Sequence, residues 1–111
     1  MSSAKVNQLQ LLQQNLESVM LHKQQIESQL TEVNSALTQL EKAEKSYKIL
    51  GKIMVAASKN ELNNSLNEQK EVAEVRLKNF IEQEKKIKEN IEEVQKEVVK
   101  ELKTKKSPKN E

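Results

Sequence analysis

The sequence predicts a mainly α-helical chain, in which a short β-hairpin connects the two helices of a long antiparallel coiled coil. Three observations support this fold class. Apolar residues follow heptad spacing on both sides of the middle of the chain. The single glycine, Gly51, lies between these two segments, within an apolar stretch. With 2% aromatic and 32% charged residues, the chain can fill a narrow helix seam but not a thick core.

The first predicted helix covers residues 3–45 and has apolar residues at alternating spacings of three and four. Nine of its ten seam positions are apolar, and no Gly or Pro interrupts them. This is the pattern of a coiled-coil helix, and Lys23 is its polar exception. The ten positions, called the first seam below, are Leu9, Leu12, Leu16, Val19, Lys23, Ile26, Leu30, Val33, Leu37 and Leu40.

Residues 46–57, SYKILGKIMVAA, predict the β-hairpin. Strand-favouring side chains stand on both sides of a two-residue turn, Gly51 and Lys52. Gly51 would supply the positive φ that a type II′ turn needs at its first position. Both faces of this hairpin would be apolar. One would carry Tyr47, Ile49, Met54 and Ala56, and the other Leu50, Ile53 and Val55.

The second helix is predicted over residues 59–103. It follows Ser58, which with Glu61 forms an S-x-x-E capping box. Eight of its ten seam positions are apolar. These positions, the second seam, are Leu66, Lys70, Ala73, Leu77, Phe80, Glu84, Ile87, Ile91, Val94 and Val98. Residues 104–111 lose the heptad and contain the only proline, so a single domain over 1–103 and a disordered basic tail are predicted.

The two seams are about equally long, and folding the chain back at the hairpin pairs them as antiparallel helices. Lys23 and Glu84 interrupt the seams at their midpoints and would then lie within about one helical turn of each other. An ion pair between them would fix the register more than it would add stability. The alternative is two independent charges that extend to the surface.

The predicted hairpin also indicates assembly into an oligomer. A lone two-stranded hairpin is marginally stable in water, and this one would expose two apolar faces and two strand edges. The same element from other subunits would cover them by forming a small β-barrel or sheet, from which the coiled coils project. The expected interface residues are Tyr47, Ile49, Leu50, Gly51, Ile53, Met54 and Val55.

Several classes of function receive no support from the sequence. There is no cysteine for a disulfide or thiolate metal site, no phosphate-binding glycine loop and no nucleophile arrangement. His22 is the sole histidine, and a two-helix coiled coil offers no pocket in which partners converge on it. We therefore expect neither enzymatic activity nor a cofactor.

Nucleic acid and membrane partners are not expected either. The net charge is +2, and the excess of positive charge lies in residues 103–111, which hold four lysines and one glutamate. With no aromatic side chains beside them, these lysines would allow only weak, non-specific contact with nucleic acid. No apolar run approaches the roughly 18 residues of a membrane span, and no signal-peptide core is present. A soluble, cytoplasmic protein is the expectation.

The stretch YKILGKIMV, followed by the capped second helix and EVRLK at residues 74–78, resembles the β-type subunit of the prefoldin family. The spacing Tyr-Lys-x-x-Gly-x-x-x-Val between two helices of matching length carries the likeness. The resemblance implies a hexamer of two α-type and four β-type subunits, with a β-barrel platform and six coiled-coil arms. It further implies that the arms hold unfolded client proteins without nucleotide, prevent their aggregation and deliver them to a group II chaperonin.

In that arrangement the chain termini form the arm tips, and apolar residues near them are candidates for client contact. Single exposed apolar residues are common on any surface, but a group near one end is what a holding surface needs. The off-seam candidates are Val6, Leu11, Met20, Leu21, Val99 and Leu102. Splaying of the helix ends would add Leu9, Leu12, Leu16, Val94 and Val98. The alternative function is a structural scaffold or tether without chaperone activity.

Overall fold

The computed structural model describes residues 2–109, with side chains described for residues 4–103. Helix α1 spans Ser2–Lys42, strands β1 and β2 span Ser46–Leu50 and Ile53–Ala57, and helix α2 spans Lys59–Lys109. The predicted fold class of two long helices joined by one antiparallel hairpin is confirmed.

Burial along both helices follows the heptad pattern. All twenty residues of the first and second seams are buried or half-buried, and the other described side chains of the helices are exposed with three exceptions. Those three, Lys5, Leu62 and Glu101, continue the same spacing beyond the predicted seams. No described side chain is less than 2% exposed. The core is thus a narrow strip, as the low aromatic content predicts.

The chain divides into two compact units. The terminal unit contains Met1–Lys23 and Asn79–Glu111, and within it α1 and α2 are linked by an ion pair between Lys23 and Glu84. The hairpin unit contains Gln24–Lys78, and within it Lys59 Nζ donates a hydrogen bond to the main-chain carbonyl of Glu41 at 3.0 Å. Each unit pairs a segment of α1 with a segment of α2.

The hairpin has the predicted turn and register. Tyr47 pairs with Ala56 and Ile49 with Met54, so these four residues share a face. Gly51 has φ of 61°, and no non-glycine residue of the described chain has a positive φ, so Lys52 does not either. A type I′ turn would need positive φ at both central residues, whereas positive φ at the first alone is what the predicted type II′ turn requires.

Local hydrogen bonds define the ends of the helices beside the hairpin. Ser58 Oγ accepts the main-chain N–H of Glu61 at 3.0 Å, which confirms the predicted N-cap of α2. At the other junction, α1 ends at Lys42, three residues before the predicted boundary at 45. The N–H of Ala43 bonds to the carbonyl of Leu40 at 3.3 Å, and such an i to i−3 bond tightens the last helical turn before the chain leaves for β1.

The far end of α2 lies beyond its predicted boundary. The helix continues to Lys109, whereas the sequence placed its end at Lys103 and a disordered tail over 104–111. Loss of the heptad removes the packing partner, but each added residue other than Pro108 can still donate a main-chain hydrogen bond to the helix, and lysine is a good helix former. The last two residues of that predicted tail lie outside the described residues.

Candidate binding surfaces

The hairpin presents apolar side chains on both faces. Six of the seven predicted interface residues are large apolar side chains that are 40–70% exposed, and the seventh, Gly51, forms the turn. The six are Tyr47, Ile49, Leu50, Ile53, Met54 and Val55. The structure thus brings all the predicted interface residues together in one element. Their assignment to an interface stays a prediction.

The hairpin also has open strand edges. It is a two-stranded sheet, in which each strand of the described chain pairs only with the other. The outer edge of each strand therefore offers main-chain N–H and C=O groups to an added strand. Apolar faces combined with open edges allow another β-strand to bind through both side chains and main chain.

A second set of exposed apolar side chains lies in the terminal unit. All six off-seam residues predicted for client contact are exposed, by 42–61%. This set, the terminal apolar group, consists of Val6, Leu11, Met20, Leu21, Val99 and Leu102. By contrast, Leu9, Leu12, Leu16 and Val98 are half-buried and Val94 is buried. These five lie in the helix seam and would become accessible only if the helices separated.

Heptad positions show that the terminal unit has one apolar flank and one polar flank. With Leu9 at heptad position a, the exposed residues Val6 and Met20 of α1 occupy e positions. With Val98 at position a of α2, the exposed residues Ile81 and Leu102 occupy e positions as well. In an antiparallel pair the e positions of both helices lie on the same flank. Among the residues whose side chains the structure describes, the g positions of the other flank are all polar: Gln8, Asn15, His22, Gln83, Asn90 and Glu97. Of these two flanks only the e flank carries exposed apolar side chains, while Leu11, Leu21 and Val99 lie at positions outside both flanks.

Three exposed apolar residues were missed by the sequence analysis: Val72, Val75 and Ile81. Ile81 directly follows the seam residue Phe80, just as Met20 directly follows Val19. The sequence pattern that identified Met20 could therefore have identified Ile81. Val72 belongs to the hairpin unit, where it borders a groove of about 660 Å³ lined mostly by polar residues such as Gln29 and Arg76. Within the hairpin unit, these valines are exposed apolar residues outside the hairpin.

Lys23 and Glu84 form the ion pair that the sequence suggested. Lys23 Nζ donates a hydrogen bond to Glu84 Oε1 at 3.0 Å, and Lys88 Nζ lies 3.7 Å from Glu84 Oε2. The hydrogen bond from Lys23 lowers the pKa of Glu84, although burial opposes this shift. The contact is confirmed, whereas its role in fixing the register stays a prediction.

A second ion-pair cluster, which the sequence analysis did not identify, lies at the end of the seam. Lys5 Nζ is 3.0 Å from Glu101 Oε1 and 3.4 Å from Glu97 Oε2. The hydrogen bond to Glu101 raises the pKa of Lys5 above its ordinary value. Lys5 and Glu101 occupy the positions where the seam spacing continues past Leu9 and Val98. The spacing alone could have placed both residues in the seam, but their charge sets them apart from the apolar heptad pattern.

His22 takes part in an aromatic contact. Its ring stacks on Phe80, with centroids 5.4 Å apart and planes inclined by 22°. The part of the chain that the structure describes has no group of three or more His, Cys, Asp or Glu residues that could hold a metal ion. It also has no helix long and apolar enough to cross a membrane.

Comparison with known proteins identifies similar chains. Residues 3–105 match the family model for a prefoldin subunit. The prefoldin subunit beta of Archaeoglobus fulgidus is 38% identical over 93 residues, covering 81% of this chain and 80% of the relative. That of Pyrobaculum islandicum is 36% identical over 100 residues, covering 87% and 80%. The crystal structure of the prefoldin beta subunit from Thermococcus strain KS-1 matches with a TM-score of 0.85 and 33% identity, covering 90% of each chain.

Proposed function

We propose that this chain, which belongs to the prefoldin family as a β-type subunit, is part of a chaperone that holds unfolded proteins without using nucleotide. The family supports a chaperone role. The observation that carries the proposal is that twelve of the fifteen exposed large apolar side chains described lie in two groups, the hairpin and the terminal apolar group. Two such groups on a chain with 32% charged residues indicate two different binding surfaces.

The hairpin is the proposed assembly surface. Its open edges can accept strands from the hairpins of neighbouring prefoldin subunits, and its apolar faces would then be buried between them. Burial on both faces fits a closed barrel, which removes the edges altogether. In the proposed complex, two α-type and four β-type subunits share this β-barrel platform.

The terminal apolar group is the proposed client surface. Its members are scattered over both helices and only Met20 and Leu21 are adjacent in sequence, so most of them offer small, separate apolar contacts. Many weak contacts suit clients of varied sequence and allow release, which the complex needs if it passes clients to a group II chaperonin. Met20 adds a flexible, polarisable side chain that adapts to different partners.

An aggregation assay tests this proposal. The chain is assembled with an α-type prefoldin subunit, and a denatured client is diluted into the mixture without ATP. We expect less light scattering from the client. A shortened chain lacking residues 1–21 and 86–111, and with them the whole terminal apolar group, should keep the hairpin and the number of subunits in the complex but lose this protection.

Two results would contradict the proposal. Equal protection by the shortened chain would show that the terminal apolar group is not the client surface. No protection by the full-length complex would instead favour the structural scaffold, which assembles through the hairpin but holds no client. Native mass measured in the same samples ensures that assembly is not the cause of either result.

A further inference from the structure

The outermost layer of the terminal-unit seam for which the structure describes side chains is formed by charged residues and not by apolar packing. Lys5 takes the seam position four residues before Leu9, and Glu101 takes the one three residues after Val98. Lys5 contacts both Glu101 and Glu97 across the helix pair, at 3.0 and 3.4 Å. We call these three residues the terminal clasp.

The ion pairs of the terminal clasp hold the two helices together only weakly. Its three side chains are 28–52% exposed, and ion pairs this open to water contribute little to stability and weaken further in salt. The apolar layer that heptad spacing would allow at these positions would hold the helices together by burial and would be insensitive to screening. The end of the seam can therefore open at a small cost in free energy.

Opening the clasp would uncover apolar residues directly behind it. Leu9 and Val98 are half-buried and Val94 is buried, and all three belong to the nearest layers of the seam. Val6 directly follows Lys5 in the sequence and Leu102 directly follows Glu101, and both side chains are already exposed. The uncovered side chains would thus join the terminal apolar group in one larger apolar surface.

We propose that Lys5, Glu97 and Glu101 form a salt-sensitive closure whose opening adds Leu9, Val94 and Val98 to the client surface. This inference rests on the proposed holding function. In it, the three charged residues determine how much apolar surface is exposed to a client. The clasp has two carboxylates for one ammonium group, so reversing the charge of Lys5 would place three like charges together.

Hydrogen exchange in the assembled complex tests the closure, and the aggregation assay tests its effect. In K5E, amides of residues 6–12 and 94–101 should exchange about two- to fivefold faster than in the wild type, because an attraction becomes a repulsion. Client protection should increase in parallel. The charge-swapped variant K5E/E97K/E101K should restore both measurements. The double variant K5M/E101M, which makes the layer apolar and leaves no unpaired charge in the seam, should slow exchange and reduce protection.

Salt provides an independent check on the cause. At about 1 M salt the screening length is near 3 Å, so the difference in exchange between K5E and the wild type should shrink. Unchanged exchange in K5E at low salt would overturn the closure. Faster exchange without added protection would overturn the gain of client surface, while protection by the wild type would still support the holding function. If the wild-type complex protects no client, both the holding function and the added client surface are refuted. The closure itself is still tested in that case, because the exchange rates do not depend on a client.

Discussion

Lys23 and Glu84 are the two charged residues whose placement inside the seam has the clearest energetic consequence. Glu84 is only 11% exposed through its side chain, and Lys23 gives it a hydrogen bond at 3.0 Å. A carboxylate so far removed from water needs such a partner, because an unpaired buried charge is costly. We therefore expect the pair to contribute more by matching the register of the two helices than by adding net stability.

Replacing Lys23 with methionine tests this dependence. K23M should destabilise the assembled protein by about 1–3 kcal/mol, because Glu84 keeps only the longer contact with Lys88. Thermal unfolding followed by circular dichroism measures the effect. The double variant K23M/E84M, whose layer is apolar, should recover the loss.

A matched control for this variant is K96M. Lys96 pairs with Glu92 at 3.8 Å, but both side chains are more than two-thirds exposed, so the change should stay within about 0.5 kcal/mol. If K23M is as mild as K96M, the Lys23–Glu84 pair has no special importance for the seam.

The hairpin connects local turn chemistry to assembly at the scale of a single element. Gly51 allows the type II′ turn, the turn sets the register, and the register places Tyr47, Ile49 and Met54 on one face. Ser46 Oγ closes the open end of the hairpin by donating a hydrogen bond to the carbonyl of Ala57 at 2.7 Å. The element is thus well defined within one chain, although its apolar surface stays uncovered there.

A charge on the hairpin should block assembly without unfolding the chain. Ile49 is 70% exposed, so I49D removes little packing within the subunit, but it would place a carboxylate in the proposed interface at a cost of several kcal/mol. We expect smaller particles by sedimentation and unchanged helix content by circular dichroism.

The control for this variant is K52D in the turn, which adds an acidic residue without altering either apolar face. K52D should sediment like the wild type. An I49D complex of unchanged size would refute the assembly role of the hairpin.

The elements could be predicted from the sequence because each depends on a local or strictly periodic signal. Heptad spacing sets the seam burial, the single glycine sets the turn, and Ser58 sets the start of α2. The same spacing places Lys5 opposite Glu101, but the second contact of Lys5, with Glu97 outside the seam, is seen only in the paired helices. The end of α2 was misplaced because helix propensity persists after the heptad has stopped.

At the scale of the whole molecule, the two groups of exposed apolar residues belong to different units. The hairpin lies in Gln24–Lys78, and the terminal apolar group lies in the unit formed by Met1–Lys23 and Asn79–Glu111. A variant in one group can therefore be tested for effects on holding apart from effects on assembly. The e flank is the place for such a test, because it brings apolar residues from both helices to one side.

The double variant M20Q/I81Q should weaken client holding while leaving assembly intact. Both side chains are less than half exposed, so a bound client would bury only the exposed part of each, worth about 2 kcal/mol for the pair. That corresponds to a roughly 30-fold loss of affinity, measured by titrating a fluorescent unfolded client. The control V72Q/V75Q removes two apolar residues that are 60% exposed, in the hairpin unit, and should bind the client like the wild type. If the control loses as much affinity as M20Q/I81Q, holding depends on exposed apolar surface in general and the e flank has no privileged role.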